Sequence, residues 1–204
     1  MTDERKSRNE NASPSLCPPA SCRLVFAARL WGNSQTFACL LLTAACAFKP
    51  KVPTTFLSDR QLNLEEFFEG HTVAYGQFQD VLGNIPRRFT VDINGTWDGQ
   101  TLTLVEDFVY DDGATEQRIW TLTKTGEDTW TGTAPGVLGT ASGTERGDTF
   151  NWKYRIDLPV KDGTMRVDFD DWMWLLSEDR LLNQAYVRRY GVDIGQVVIF
   201  FEKL

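Results

Sequence analysis

RRFTVDINGTWDGQTLTLVEDFVYDDG, Arg87 to Gly113, decides how the rest of the chain is read. Phe89, Val91 and Ile93 alternate with Arg88, Thr90 and Asp92, the period of two that sends apolar groups to one face of a strand and polar groups to the other. Trp97-Asp98-Gly99 then supplies a turn. Alternation resumes from Thr101 to Tyr110, with Leu102, Leu104, Glu106, Phe108 and Tyr110 on one face, and Asp111-Asp112-Gly113 ends it.

The same rhythm runs outward in both directions. Further turn signals stand at Leu82-Gly83-Asn84, Thr125-Gly126-Glu127, Pro135-Gly136, Arg146-Gly147-Asp148, Lys161-Asp162-Gly163, Ser177-Glu178-Asp179 and Tyr190-Gly191. This count implies about ten strands, and no interval carries a helical period long enough for a crossover between parallel strands. The pattern predicts an all-β fold over residues 67–204, an antiparallel up-and-down meander that closes into a barrel and so removes its own edges.

Charges interrupt the apolar rows. Glu106 sits among Leu102, Leu104 and Phe108, and Arg118 shares a face with Trp120 and Leu122. Burying either ion alone costs several kcal/mol, so the two are expected to meet. In Val167 to Trp174, alternation puts Val167, Phe169, Asp171 and Met173 on one face and Asp168, Asp170, Trp172 and Trp174 on the other, with neither face purely apolar. Glu106, Arg118, Trp120, Asp170 and Trp172 form the expected interior polar or ligand-binding cluster, with Glu106 and Asp170 as alternative acid–base residues if the protein is catalytic. The plainer reading is structural: Glu106, Arg118 and an aspartate of the Phe169–Trp174 segment neutralise one another.

Composition narrows the functional classes. Of 204 residues, 42 % are hydrophobic and seven are Trp, enough for a sizeable core. The net charge is −7, and because the first 46 residues hold five bases and three acids, the remainder carries −9. Such a domain lacks the basic patch that nucleic acid phosphates need, so no nucleic acid partner is expected. All four cysteines, Cys17, Cys22, Cys39 and Cys46, precede the β-rich region, which therefore has neither a disulfide framework nor a cysteine metal site. His71 is the sole histidine, so imidazole clusters are excluded, and neither a metal nor a cofactor is expected.

Residues 1–22 are polar and without periodicity, and read as a disordered extension or as text upstream of the true start. Residues 23–46 have the layout of a signal segment, in which Arg23 and Arg29 precede an apolar run from Phe37 to Ala45, too short to span a bilayer. Leu41-Leu42-Thr43-Ala44-Ala45-Cys46 resembles the bacterial lipobox, with Thr43 where that pattern has Leu, and the resemblance implies diacylglycerol on Cys46. Ala47 is not Asp, which by resemblance to enterobacterial sorting implies the outer membrane, facing the periplasm. Residues 47–66 read as a tether, with a short helical turn over Leu62–Phe68 that plugs one end of the fold.

RRFTVDINGTWDG at Arg87, EDFVYDDG at Glu106, QRIW at Gln117, NWKY at Asn151 and FDDWMW at Phe169 together resemble a family of bacterial envelope proteins grouped as a domain of unknown function, many of them lipoproteins. The resemblance runs from Leu64 to Leu204. It implies a lipocalin-like barrel behind a lipoprotein signal, and it implies no established activity. The long polar extension before Arg23 departs from it.

The expected protein is thus anchored by lipid to a membrane in the cell envelope, and noncatalytic, binding or shielding an apolar, lipid-like small molecule. A cofactor-free enzyme on such a molecule and an envelope scaffold are the alternatives. An interior cavity of several hundred cubic ångströms favours the first two, and a filled barrel favours the third.

Overall fold

Ten strands form where the alternation predicts them, in a computed structural model that describes residues 58–160 and 163–204. The expectations for residues 1–22 and 23–46, and for most of the tether at 47–66, fall outside the described residues, Cys46 among them. A helical turn α1 (Leu64–Phe68) is followed by β1 (Gly70–Asp80), β2 (Arg87–Trp97), β3 (Thr101–Tyr110), β4 (Thr115–Lys124) and β5 (Thr129–Thr133). Then come β6 (Ala141–Arg146), β7 (Thr149–Val160), β8 (Gly163–Ser177), β9 (Arg180–Arg189) and β10 (Val192–Lys203). Each strand pairs antiparallel with the next, and β1 pairs with β10, so the meander closes on itself as a barrel with no free edge.

The inward rows are those that alternation assigns. Val91 and Ile93 of β2, Leu102, Leu104 and Phe108 of β3, and Trp120 and Leu122 of β4 are all buried. Where bulky rings meet, small residues oppose them. A Cβ on Gly143 of β6 would stand 2.4 Å from the Phe150 ring and 2.5 Å from that of Trp152, so only glycine lets these stacked rings of β7 lie against β6.

One end of the barrel is plugged. Leu64, Phe67 and Phe68 of α1 are buried, and Phe68 meets Phe201 edge-on with centroids 5.5 Å apart. The expected helical turn is therefore present, and since Leu62 is fully buried, packing against the barrel begins before residue 67. The approach of α1 is close enough that a Cβ on Gly95 would fall 1.8 Å from the Phe68 carbonyl oxygen. Polar contacts fix it in place: Leu62 N–H donates to the Gly147 carbonyl at 2.7 Å and Leu64 N–H to Glu145 Oε1 at 2.6 Å. Lys124 adds an ion pair with Glu65 and lies 3.9 Å from Glu145 Oε2. The opposite end, where β1 turns into β2, β3 into β4 and β9 into β10, carries no helix among the described residues, and there the β5–β6 connection brings Pro135 and Gly136 to the cavity wall.

No helix among the described residues is long and apolar enough to cross a membrane.

Candidate ligand cavity

The barrel encloses a cavity of about 800 Å³. Its floor is apolar, because α1 contributes Leu64 and Phe68, and Ile93, Leu104, Leu122 and Phe201 surround them. Halfway up, the inward rows turn polar. Glu106 of β3, Arg118 of β4, Tyr154 of β7 and Asp171 of β8 all line the space, and β3 and β8 stand five strands apart in either direction round the closed sheet.

Glu106 and Arg118 are direct cross-strand partners in register. Arg118 nevertheless bonds elsewhere. Its Nη2 donates to Glu116 Oε1 at 2.8 Å, two residues along its own strand, and Tyr110 Oη donates to the other Glu116 oxygen at 2.8 Å. Arg118 and Glu106 thus face each other and are coupled by charge, as expected, but the hydrogen bond goes to Glu116, because the long arginine side chain spans the roughly 6.7 Å between same-face neighbours on one strand. The Arg118 guanidinium lies 5.0 Å from the Phe108 ring centroid, and at the mouth Arg87 lies 3.4 Å from that of Tyr110.

Protonation follows from this arrangement. Burial pushes the Glu106 carboxyl up to about 7, with the Arg118 charge opposing the rise and the Glu116 charge adding to it. Burial would raise Glu116 as well, but Arg118 and the hydrogen bond from Tyr110 outweigh it and leave Glu116 below its ordinary range. Asp171 is raised well above the usual carboxylate range by burial and by the neighbouring Asp170 charge, while Arg118 and a hydrogen bond with Tyr154 act against the rise. The Tyr154 phenol is raised by burial and by the charge of Asp171. The middle of the cavity thus holds an ion pair, an acid raised well above the carboxylate range and an acid that ionises near neutrality.

Of the residues expected inside, Glu106, Arg118 and Trp120 line the cavity. Asp170 and Trp172 do not. They share the outer face of β8, where Asp170 accepts a hydrogen bond from Asn151 Nδ2 at 2.9 Å and Trp172 stacks on Trp174 at 6.3 Å. The interior aspartate is Asp171, because Phe169, Asp171 and Met173 occupy the inward row. Asp170, expected as an alternative acid–base residue, therefore does not face the cavity. Glu116, Tyr154 and Asn183 also line the cavity and were not singled out by the sequence pattern. The apolar neighbours Val167, Phe169 and Met173 were the available sign that Asp171 faces inward.

The remaining acids of that region are separated. Asp168 pairs with Arg155 at 2.6 Å and Asp107 accepts from Gln117 at 2.8 Å, and among the described residues no three His, Cys, Asp or Glu side chains converge as a metal site. His71 is exposed and lies 2.8 Å from Asp92, on the outside of the barrel.

Residues 40–203 match the family described as "Protein of unknown function (DUF3833)". No curated protein matches the chain. Among solved structures, the S-type phycobiliprotein lyase CPES from Guillardia theta is similar with a TM-score of 0.52 at 11 % identity, covering 70 % of this chain and 93 % of that one. A redesigned β barrel, b11L5F_LGL, has a TM-score of 0.38 at 9 % identity, covering 74 % of this chain and 99 % of that one. EF1p2_mFAP2b bound to DFHBI has a TM-score of 0.37 at 9 % identity, covering 68 % of this chain and 95 % of that one. At these identities the first likeness concerns the fold alone, and the other two carry no argument.

Proposed function

The chain belongs to the DUF3833 family of proteins of unknown function, and from the geometry of its barrel we propose that it is a noncatalytic binding protein, holding an apolar, lipid-like small molecule inside the barrel. The observation that carries this reading is the cavity of about 800 Å³, closed by α1 at one end and walled mainly by aliphatic and aromatic side chains. Barrels that serve only as scaffolds fill their interiors with side chains, whereas a space of this size suits a small-molecule ligand. Each methylene a ligand buries there contributes about 0.8 kcal/mol. Cys46, within the residues that match the family, carries the lipid anchor in this reading, and the barrel works at an envelope membrane, the outer membrane facing the periplasm.

Filling the space tests the reading. Ala185 is buried on β9 and lines the cavity, so Ala185→Trp puts an indole where the ligand would lie. The full chain is expected to bind the neutral fluorophore N-phenyl-1-naphthylamine with an increase in emission, and Ala185→Trp is expected to abolish that increase while keeping a β-dominated circular dichroism spectrum. Unchanged probe binding by a folded Ala185→Trp protein rejects the interior as the site.

One observation favours a second reading. A carboxyl held near pH 7 in an apolar cavity, as Glu106 is, suits general acid–base catalysis on a lipid-like substrate without a cofactor. Under that reading Glu106→Gln abolishes turnover of the bound molecule, and under the first it leaves the bound molecule unaltered in both proteins.

A further inference from the structure

Two buried oxygens in the cavity wall lack a hydrogen-bond partner. Asp171 is 7 % exposed and Asn183 1 % exposed, both line the cavity, and Oδ1 of each has no partner in the protein. The Asn183 amide is oriented by its own contact, since Nδ2 donates to the Trp172 carbonyl at 3.3 Å and leaves Oδ1 free. The two residues are diagonal neighbours on adjacent strands: Asp171 stands opposite Ala185, and Asn183 opposite Met173. Buried polar oxygens without a partner are strongly unfavourable, and here two sit side by side in a space able to hold another molecule.

We infer that the ligand is an uncharged amphiphile bearing a hydroxyl group, seated with that hydroxyl against Asp171 and Asn183 and with its chain running down to α1. The inference rests on the binding function proposed above and specifies its ligand. A hydroxyl donates to the Asn183 oxygen, which can only accept, and pairs with the Asp171 carboxyl in either sense, donating to it when it is ionised and accepting from it when it holds its proton. Alkanes bring no donor. Ethers, esters, ketones and carboxylates only accept.

Charge narrows the class further. Among the described residues lining the cavity the cations are Arg87 and Arg118. Arg118 is already bonded to Glu116 and faces Glu106, so a carboxylate at the level of Asp171 would meet acids without a free cation. Arg87 stands higher, at the mouth, between the Tyr110 ring and Asp112 at 4.0 Å. An ammonium group would have to be desolvated beside Arg118. Below the polar belt, Ile93, Leu104, Leu122, Phe68 and Phe201 offer nothing but apolar surface for a chain.

Displacement of N-phenyl-1-naphthylamine from the full chain tests this with three competitors of nearly equal size: decanol, nonyl methyl ether and decanoate. Decanol is expected to displace the probe at roughly five- to tenfold lower concentration than the ether, the ratio one hydrogen bond to a buried acceptor supplies. Decanoate is expected to be weaker than decanol. The combined Asp171→Leu and Asn183→Leu variant should bind the ether as before and lose the preference for the alcohol, and Asp171→Leu alone carries the same comparison if the pair does not fold. Equal displacement by alcohol and ether, or decanoate as the strongest competitor, overturns the inference and leaves the binding function standing. Failure of the fluorophore and every competitor to bind overturns both.

Discussion

Glu106 holds its proton close to neutrality because burial penalises its charged form more than Arg118 stabilises it. The consequence for stability has a definite sign. The unfolded chain releases this proton near 4.5 and the folded one near 7, so between those values the native state binds more protons than the unfolded state. The stability this group contributes is complete below about pH 4.5 and falls as pH rises through 7. Its size is about 3 kcal/mol, the equivalent of moving one acid between those two values. Glu106→Gln removes the titration, so urea unfolding from pH 5 to 8 is expected to show the variant gaining on the wild type as pH rises, and parallel profiles would contradict the assignment. The sequence shows that Glu106 and Arg118 lie on apolar faces, because period two suffices for that. That Arg118 bonds Glu116 was not legible, since both acids share its neighbourhood and only side-chain geometry separates them.

At the scale of elements, α1 and β2 fit each other through the absence of a side chain. Gly95 faces inward where the Phe68 carbonyl oxygen would lie 1.8 Å from a Cβ, and backbone at both partners leaves little to give way. Gly95→Ala is therefore expected to lift α1 from the barrel and destabilise the protein by about 1–3 kcal/mol, the usual range for overpacking. Chemical denaturation measures the loss, and faster proteolysis between Ser58 and Phe68 identifies α1 as the displaced element. Wild-type stability and protection in Gly95→Ala would mean that α1 docks without requiring this contact. The strands themselves were readable because turn residues and alternation are local signals. The plug was readable only as a helical turn, because its anchors, Glu145, Gly147 and Lys124, lie far away in the sequence.

For the whole molecule, the proposed division of labour separates anchoring from binding, since Cys46 precedes every cysteine-free residue of the barrel. Cys46→Ser is expected to move the protein from the membrane fraction to the soluble fraction on cell fractionation, with the fluorophore binding of the purified protein unchanged. Multiple acyl chains, at about 0.8 kcal/mol per buried methylene, give attachment stable enough for that assay to be decisive. Wild-type protein that is soluble and unacylated would remove the anchor from the proposal and leave the cavity untouched.

The sequence by itself determined the number of strands, their antiparallel order, their inward faces and the presence of charge among the apolar rows. Those properties depend on neighbours in the chain, and period two and the chemistry of Gly, Asp and Asn at turns report them directly. Tertiary structure alone decided that closure leaves a cavity of about 800 Å³, and that Asp171 and Asn183 meet there and present unpaired oxygens. The volume of a barrel depends on how side chains from ten strands meet across its axis, and a hydrogen bond depends on atoms brought together from distant positions. Neither distance is written in the order of residues along the chain.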